Sequence, residues 1–201
     1  MPLLVLATRN RKKRRELADL VSDLPITLGD LTDYPDAPDV AETAGTFEGN
    51  AALKASGVAQ ALGQWTLSDD SGLVVPALDG APGVDSALYA GQHGDDAANN
   101  AKLVSELSAR GLTSTPAYYV CIVAVSDPSG TIQATAEGRC LGRVITTPHG
   151  PGGFGYDPHF LVPEYHATFG ELSATVKQAL SHRARALERL RPALRRLFPS
   201  G

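Results

Sequence analysis

The first clear pattern in the chain is Leu3-Leu4-Val5-Leu6-Ala7, an unbroken apolar run. A strand buried on both faces reads this way, because neither face has to meet water. The run breaks at Thr8-Arg9-Asn10. A basic helix follows, with Leu17, Leu20 and Val21 on one side at helical spacing. Residues 30–45 are rich in Asp, Pro and Thr and predict a long loop, a kind of segment that is often functional inside a compact domain. An Ala-rich helix is predicted over Phe47 to Leu62, with Phe47, Ala51, Ala55, Val58 and Leu62 as its stripe and Gly63 as its stop. Trp65 to Leu67 reads as a short strand entering Ser68-Asp69-Asp70-Ser71-Gly72, after which Leu73-Val74-Val75 is extended again.

Further on, Asp79-Gly80 and Pro82-Gly83 signal turns. Asp95 or Asp96 caps a helix running to about Ala109. Tyr118 to Val125 is the most apolar strand, and Asp127-Pro128-Ser129-Gly130 turns it back into Thr131 to Ala136 as a hairpin. Arg139 to Ile145 is read as a further strand, His149 to Pro158 as a Gly-rich loop and Phe160 to Val162 as a short strand. Ser173 caps a short helix. A longer one starts near Ser181, with Leu187, Leu190, Leu194 and Leu197 along one side and a kink expected at Pro192. Helices early and late, with hairpin-linked strands between them, predict an α/β fold: a mixed, twisted sheet with flanking helices.

The length of 201 residues fits one domain, 1–201, or one domain with two lobes. Composition is ordinary for a globular protein, and a net charge of -4 provides no strong pull toward nucleic acid or an anionic membrane. No apolar run approaches the roughly 18–20 residues of a membrane span, and Leu3 to Ala7 is too short for a signal-peptide core. Cys121 and Cys140 lie in strand-like sequence without metal-type spacing. A buried, reduced pair and a cytoplasmic setting are therefore expected.

Five segments carry candidate chemistry, and each alone has an ordinary structural alternative. Thr8-Arg9-Asn10-Arg11-Lys12-Lys13 stands between a strand and a helix, where backbone N–H groups, the helix dipole and the Lys13 charge suit a polyphosphate. It lacks Walker glycine spacing, and it also fits a solvated basic face or a targeting tract. In Ser68-Asp69-Asp70-Ser71-Gly72, adjacent carboxylates call for solvent or a cation, so the segment is either an acidic turn or a divalent-cation site. Glu42 precedes a helix on which Asn50 and Lys54 share a face and could reach one phosphate, or simply line a surface. In Gly152-Gly153-Phe154-Gly155-Tyr156-Asp157-Pro158, glycines around Phe154 allow a planar ligand close approach, and Asp157 can accept from base N–H groups; a Gly-rich turn under a core aromatic is the alternative. Lys177, with Ser181-His182-Arg183, suits a carbonyl or phosphate acceptor, or a helix surface.

Taken in order, Thr8-x-Asn10-x-x-Lys13, Ser68-Asp69-Asp70-Ser71-Gly72-Leu73, the Gly152–Pro158 segment and Ser181-His182-Arg183 resemble the inosine triphosphatase family, also called the Ham1 or RdgB family. Pro82-Gly83-Val84, Ser86-Ala87 and Tyr89-Ala90 are similar to it as well, and the resemblance spans about Leu3 to Leu190. It implies two lobes around a substrate cleft, a homodimer, Mg²⁺, and hydrolysis of inosine, deoxyinosine and xanthosine triphosphates between the α and β phosphates. It places Thr8, Arg9, Asn10, Arg11, Lys12 and Lys13 on the triphosphate. It makes Asp70 the proton acceptor and a metal ligand, and Glu42 a second ligand. Ser71 falls in the substrate set, and Phe154, Gly155, Tyr156, Asp157, Lys177, His182 and Arg183 fall around the base. This sequence departs from the family at Asp85 and Leu88, where a Tyr-like residue and an Arg are usual, and at Gly49, where a Glu usually precedes Asn50. Glu48 stands one place away.

The nearest enzyme alternative is a Maf-type nucleotide pyrophosphatase, whose entry motif differs. A nucleotide-binding regulatory module without catalysis is the alternative from another class, and intact Lys13, Glu42 and Asp70 argue against it. The basic tracts are balanced by acid elsewhere and lack interleaved aromatics, which argues against a nucleic-acid partner.

Overall fold

The computed structural model describes residues 1–199, so the last two residues of the expected 1–201 domain lie outside it. The strands are β1 (Leu3–Leu6), β2 (Thr27–Asp30), β3 (Trp65–Val74), β4 (Ser114–Ser126), β5 (Ile132–Ile145), β6 (Phe160–Val162) and β7 (Ala167–Thr168). The helices are α1 (Arg11–Val21), α2 (Phe47–Leu62), α3 (Asp96–Ala109), α4 (Ala174–Leu180) and α5 (His182–Leu197). Neighbouring strands follow the order β2-β1-β3-β4-β5-β6-β7. The β2-β1-β3 part is parallel and the β5-β6-β7 part antiparallel, which makes the sheet mixed, as expected. Among the described residues no helix is long and apolar enough to cross a membrane.

Two compact units divide the chain. Among the described residues, one comprises 1–70, 121–138 and 183–199; the other comprises 71–120 and 139–182. In the first, the buried stripe of α1 (Leu17, Val21) and that of α5 (Ala186, Leu187, Leu190, Leu194) meet Leu4, Leu6, Leu67, Cys121, Val123 and Val125. Trp65 closes this core edge-on against Phe198, 5.1 Å between ring centroids. A second cluster joins Ala51 and Ala55 of α2 to Ile122 and Ala124 of β4. Successive β4 residues thus serve opposite faces, as strand geometry requires. In the second unit, Leu103 and Leu107 of α3 pack with Leu73, Tyr119, Val144, Phe160 and Phe169.

Several elements run longer than the local pattern indicates. Ser68 to Gly72 is not a turn but the middle of a continuous β3. Thr131 to Ile145 is nearly all one strand, β5, rather than two. α5, by contrast, has the expected extent and runs past Pro192 to Leu197. Helix ends follow their signals closely. Asn10, Thr46, Asp95 and Ser173 each cap a helix with a side-chain oxygen, and Gly63 ends α2 in the left-handed region at φ +63°. Cys121 and Cys140 are both buried and neither is in a disulfide.

The register of α2 on β3 is fixed by two buried hydroxyls. Thr66 Oγ1 donates to the Ala55 carbonyl (2.7 Å) and Ser68 Oγ to the Ala51 carbonyl (2.5 Å). The two carbonyls lie one helical turn apart, and the two hydroxyls lie two residues apart on one strand face. The next residue on that face is Asp70. We expect Thr66→Val and Ser68→Ala each to cost about 0.5–1.5 kcal/mol, the usual net value of one hydrogen bond, as measured by urea unfolding.

Candidate active site

Strand alternation sends the side chains of Asp69 and Asp70 to opposite faces of β3. They are therefore two carboxylates whose direct contacts are separate, although the charges of Lys13 and Lys54 are felt by both. Asp69 shares its face with Leu67 and is wholly buried. Its Oδ2 lies 3.2 Å from Lys13 Nζ and 3.2 Å from Arg183 Nη2. Arg183, also fully buried, extends its other amino group to Glu16. Burial opposes ionisation of Asp69, but Lys13 and Arg183 outweigh it and hold the carboxyl well below the usual carboxylate range. The neighbouring Cys121 thiol is pushed up to about 12 by burial first and by the Asp69 charge second. It is therefore a neutral filler, not a nucleophile.

Asp70 shares its face with Ser68 and looks toward α2. Asn50 Nδ2 donates to Asp70 Oδ2 at 3.3 Å, and Lys54 Nζ donates to Oδ1 at 3.1 Å. Lys54 also reaches Glu42 Oε1 at 3.0 Å. Burial is the largest influence on Asp70; with the Glu42 charge added, it outweighs Lys54 and Lys13 and raises the carboxyl to about 6. For Lys54 burial acts the other way, but Asp70, Asp69 and Glu42 together raise its pKa. One aspartate is thus locked as an ion, while the other is poised near neutrality, where a group can both hold and release a proton.

The long loop carrying Glu42 is held at several points. Asn50 Oδ1 accepts from the Ala44 backbone N–H at 3.0 Å, so one amide side chain joins this loop to Asp70. Gly49 makes the approach possible: a Cβ there would stand 2.4 Å from Ala44 Cβ. The Glu usual at this position would not fit the present backbone, and Glu48, one place away, is exposed. Arg9 Nη2 donates to the Ala37 carbonyl at 2.7 Å and so anchors the same loop.

In the Thr8–Lys13 tract the structure separates roles that the sequence grouped. Thr8 Oγ1 accepts from Asn10 N–H, and Asn10 Oδ1 accepts from the N–H groups of Lys12 and Lys13. Two of the helix-start donors that an anion would use are therefore engaged by Asn10. Arg11 and Lys12 are exposed, and Lys13 is the basic residue of the tract aimed at the aspartates.

The second unit holds the remaining expected residues. Asp157 Oδ2 accepts from the Phe154 N–H at 2.7 Å and from Lys177 Nζ at 2.6 Å. The same ammonium stands 4.3 Å from the centroid of the Phe154 ring, in cation–π range. Gly153, at φ +78°, permits this closure, since a Cβ there would collide with the Asp157 carboxylate at 2.0 Å. Tyr156 is buried and donates through its hydroxyl to the Ser86 carbonyl at 2.8 Å; burial is the first cause of its raised pKa. His182 stacks on Tyr119 at 4.8 Å, and Ser71 is half-buried on β3.

Sequence patterns missed three things. Asp69 and Glu16 are partners of Lys13 and Arg183 in a buried ion network; had Trp65–Val74 been read as one strand, its period of two would have separated Asp69 from Asp70. Asn50 and Lys54 meet on the Asp70 carboxylate rather than only offering themselves to a phosphate. Asp96 and Asn100, which bind Gly155, had no local signal, because their partner lies more than fifty residues away in sequence.

A sequence model of the Ham1 family matches residues 4–193. The dITP/XTP pyrophosphatase of Rhodopirellula baltica is 50% identical over 197 residues, which cover 98% of this chain and 95% of that one. The protein of the same name from Geobacter sulfurreducens is 49% identical over 194 residues, 96% of this chain and 97% of its own. Among solved structures, a HAM1 protein from Coxiella burnetii is similar with a TM-score of 0.89 and 37% identity, covering 98% of this chain and 100% of that one.

The ion network has a measurable consequence. Arg183→Met leaves the buried Asp69 with one cation fewer, a change that typically costs about 3–5 kcal/mol, so Tm should fall by roughly 10 °C. Because the Asp69 carboxyl is depressed in the folded state, its stabilisation is complete above about pH 4 and is lost as pH falls further. The gap in Tm between wild type and variant should therefore narrow on acidification below about pH 4, as followed by calorimetry.

Proposed function

The chain belongs to the Ham1 family, and from that premise we propose that it hydrolyses inosine, deoxyinosine and xanthosine triphosphates to the monophosphate and pyrophosphate, clearing abnormal purines from the nucleotide pool. Relatives named dITP/XTP pyrophosphatase, similar over nearly their whole length, support the substrate class. One observation carries the chemistry: a buried Asp70 raised to about 6, with each oxygen held by a different group of α2.

Magnesium is part of the proposal, with Asp70 and Glu42 as its protein ligands. The fit rests on Lys54, whose ammonium lies 3.0 Å from Glu42 and 3.1 Å from Asp70, so both carboxylates already converge on one cationic group. One or two carboxylates, completed by water and phosphate oxygens, are the ordinary surroundings of this ion. Bound there, it would offset the charge of the triphosphate. Asp70 takes the proton of the attacking water, and Asn50 and Lys54 keep its oxygens in place. Lys13, fixed by Asp69, supplies positive charge to the leaving pyrophosphate. Asp69 itself takes no proton, since its charge is committed to Lys13 and Arg183.

The Phe154 ring, steadied by Lys177 and Asp157, provides a platform for the base in this proposal. A 6-oxo purine presents an acceptor to cationic donors, whereas adenine presents a donor. A buried group left unpaired costs about 1–3 kcal/mol, which rejects ATP by roughly 10- to 100-fold. With Arg183 on Asp69 and Glu16, Lys177 is the cation nearest this platform in the second unit. We also propose a homodimer, which light scattering would report as twice the chain mass, and a cytoplasmic setting, where a nucleotide pool is met.

Product analysis is the direct test. With Mg²⁺, dITP should give dIMP and pyrophosphate, and ATP should be turned over far more slowly; release of inorganic phosphate, or no cleavage, would overturn the proposal. Asp70→Asn should lose at least about 100-fold in kcat while remaining folded. As the carboxylate form is the active one, kcat/KM at low Mg²⁺ should fall as pH drops through about 6. Raising Mg²⁺ should move that limb to lower pH, because a bound cation favours the ionised form.

A further inference from the structure

Gly155 stands between Phe154 and Tyr156 at φ +60°, in the left-handed region. Nothing lies within 4 Å of where a Cβ would be, so the glycine meets a conformational demand and not a steric one. Both of its backbone groups are held by one helix. Its N–H donates to Asp96 Oδ2 at 2.8 Å, and its carbonyl accepts from Asn100 Nδ2 at 2.9 Å. Asp96 and Asn100 are four apart on α3 and so share a face. The first bond fixes the peptide plane joining Phe154 to Gly155, and the second fixes the plane joining Gly155 to Tyr156. At one of the glycines that give the loop its backbone freedom, both flanking peptide planes are thereby held. Aiming the amide this way leaves Asn100 Oδ1 buried without a hydrogen-bond partner among the described residues, a cost that the bond to Gly155 must offset.

The same turn of α3 holds a second segment. Asn99 Oδ1 accepts from the Ala90 N–H at 2.7 Å, and its Nδ2 donates to the Ala87 carbonyl at 3.2 Å. Tyr156 in turn donates to Ser86. Residues 86–90, which include the departure at Leu88, and residues 154–157 are thus referred to one rigid element.

We propose that Asp96 and Asn100 are positioning residues for base selection, acting through Gly155 to hold the Phe154 ring at one tilt over Lys177 and Asp157. The proposal rests on the assignment of the base to that ring. Without the clamp the loop has to be ordered each time a base binds, and its discrimination is weakened. The phosphate-handling residues Lys13, Asp70 and Lys54 make none of these contacts, so the chemical step is left as it was.

The test compares dITP with dATP, each with Mg²⁺, for wild type, Asp96→Ala, Asp96→Asn, Asn100→Ala and Asn100→Asp, with a thermal melt for every variant. We expect Asp96→Ala and Asn100→Ala to raise KM for dITP about tenfold with kcat within about twofold of wild type, and to lower the dITP-to-dATP ratio of kcat/KM about tenfold, which is roughly 1.4 kcal/mol. Asp96→Asn, which keeps an acceptor oxygen, should recover most of the loss. Asn100→Asp, which sets an acceptor against the Gly155 carbonyl, should be worse than Asn100→Ala. Unchanged KM and selectivity in folded variants would overturn the proposal. So would a parallel fall in kcat for both substrates with Asp96→Asn no better than Asp96→Ala, the mark of a structural role alone. If Asp96→Ala does not fold, the pair at Asn100 decides. Failure of the wild type to prefer dITP would instead remove the base-platform assignment itself.

Discussion

The structure around the site depends on the period-two geometry of one strand. Because successive β3 side chains point to opposite faces, Asp69 and Asp70 are neighbours in sequence and strangers in environment. Asp69 enters the apolar core beside Leu67, where an unpaired charge would be prohibitive, and it is held there by Lys13 and Arg183. Asp70 enters the interface with α2, where burial raises its affinity for a proton and Lys54 keeps that rise moderate. A slip of one residue in the register of β3 would exchange the two fates. The buried hydroxyls of Thr66 and Ser68 on the α2 carbonyls guard against it.

The buried ion network also explains why a basic helix can begin beside two acids without the charges collapsing together. Asp69 orders Lys13, and Arg183 carries the network to Glu16 on α1. α1 and the start of α5 are thereby tied by charge as well as by the packing of Leu17 and Val21 with Leu187 and Leu190. Arg9 and Asn10, grouped with Lys13 by sequence, do different work. One anchors the Glu42 loop through Ala37, and the other caps α1. Departure from the family at Gly49 is absorbed by that loop, since Ala44 occupies the space that a side chain at 49 would need.

The second unit solves a different problem, which is to hold a Gly-rich loop still. Glycines at 153 and 155 supply the backbone freedom that brings Asp157 under Phe154, and the same freedom would leave the loop loose. It is removed by bonds from outside the loop: Lys177 on Asp157, Tyr156 on Ser86, and Asp96 and Asn100 on Gly155. Flexibility in the sequence and rigidity in the structure are compatible because the restraints come from outside the loop, from α3, α4 and Ser86.

By itself the sequence determined the helices, most of the strands and the kinds of chemistry, but not the short β2 and β7 or the full run of β3 and β5. Helix caps, stops and buried runs depend on residues a few places apart, so Asp95, Ser173, Gly63 and the stripe of α5 were legible. The order of the Thr8, Ser68, Gly152 and Ser181 segments was distinctive enough to indicate the family. Only the tertiary structure decided which groups meet. The pairing of Arg183 with Glu16 and Asp69, of Lys54 with Glu42 and Asp70, and of Asn100 with Gly155 joins residues from 12 to 167 positions apart. No local pattern encodes such pairs, because they arise when strands and helices are brought into register by burying apolar surface, a force that is blind to which polar groups it leaves facing one another.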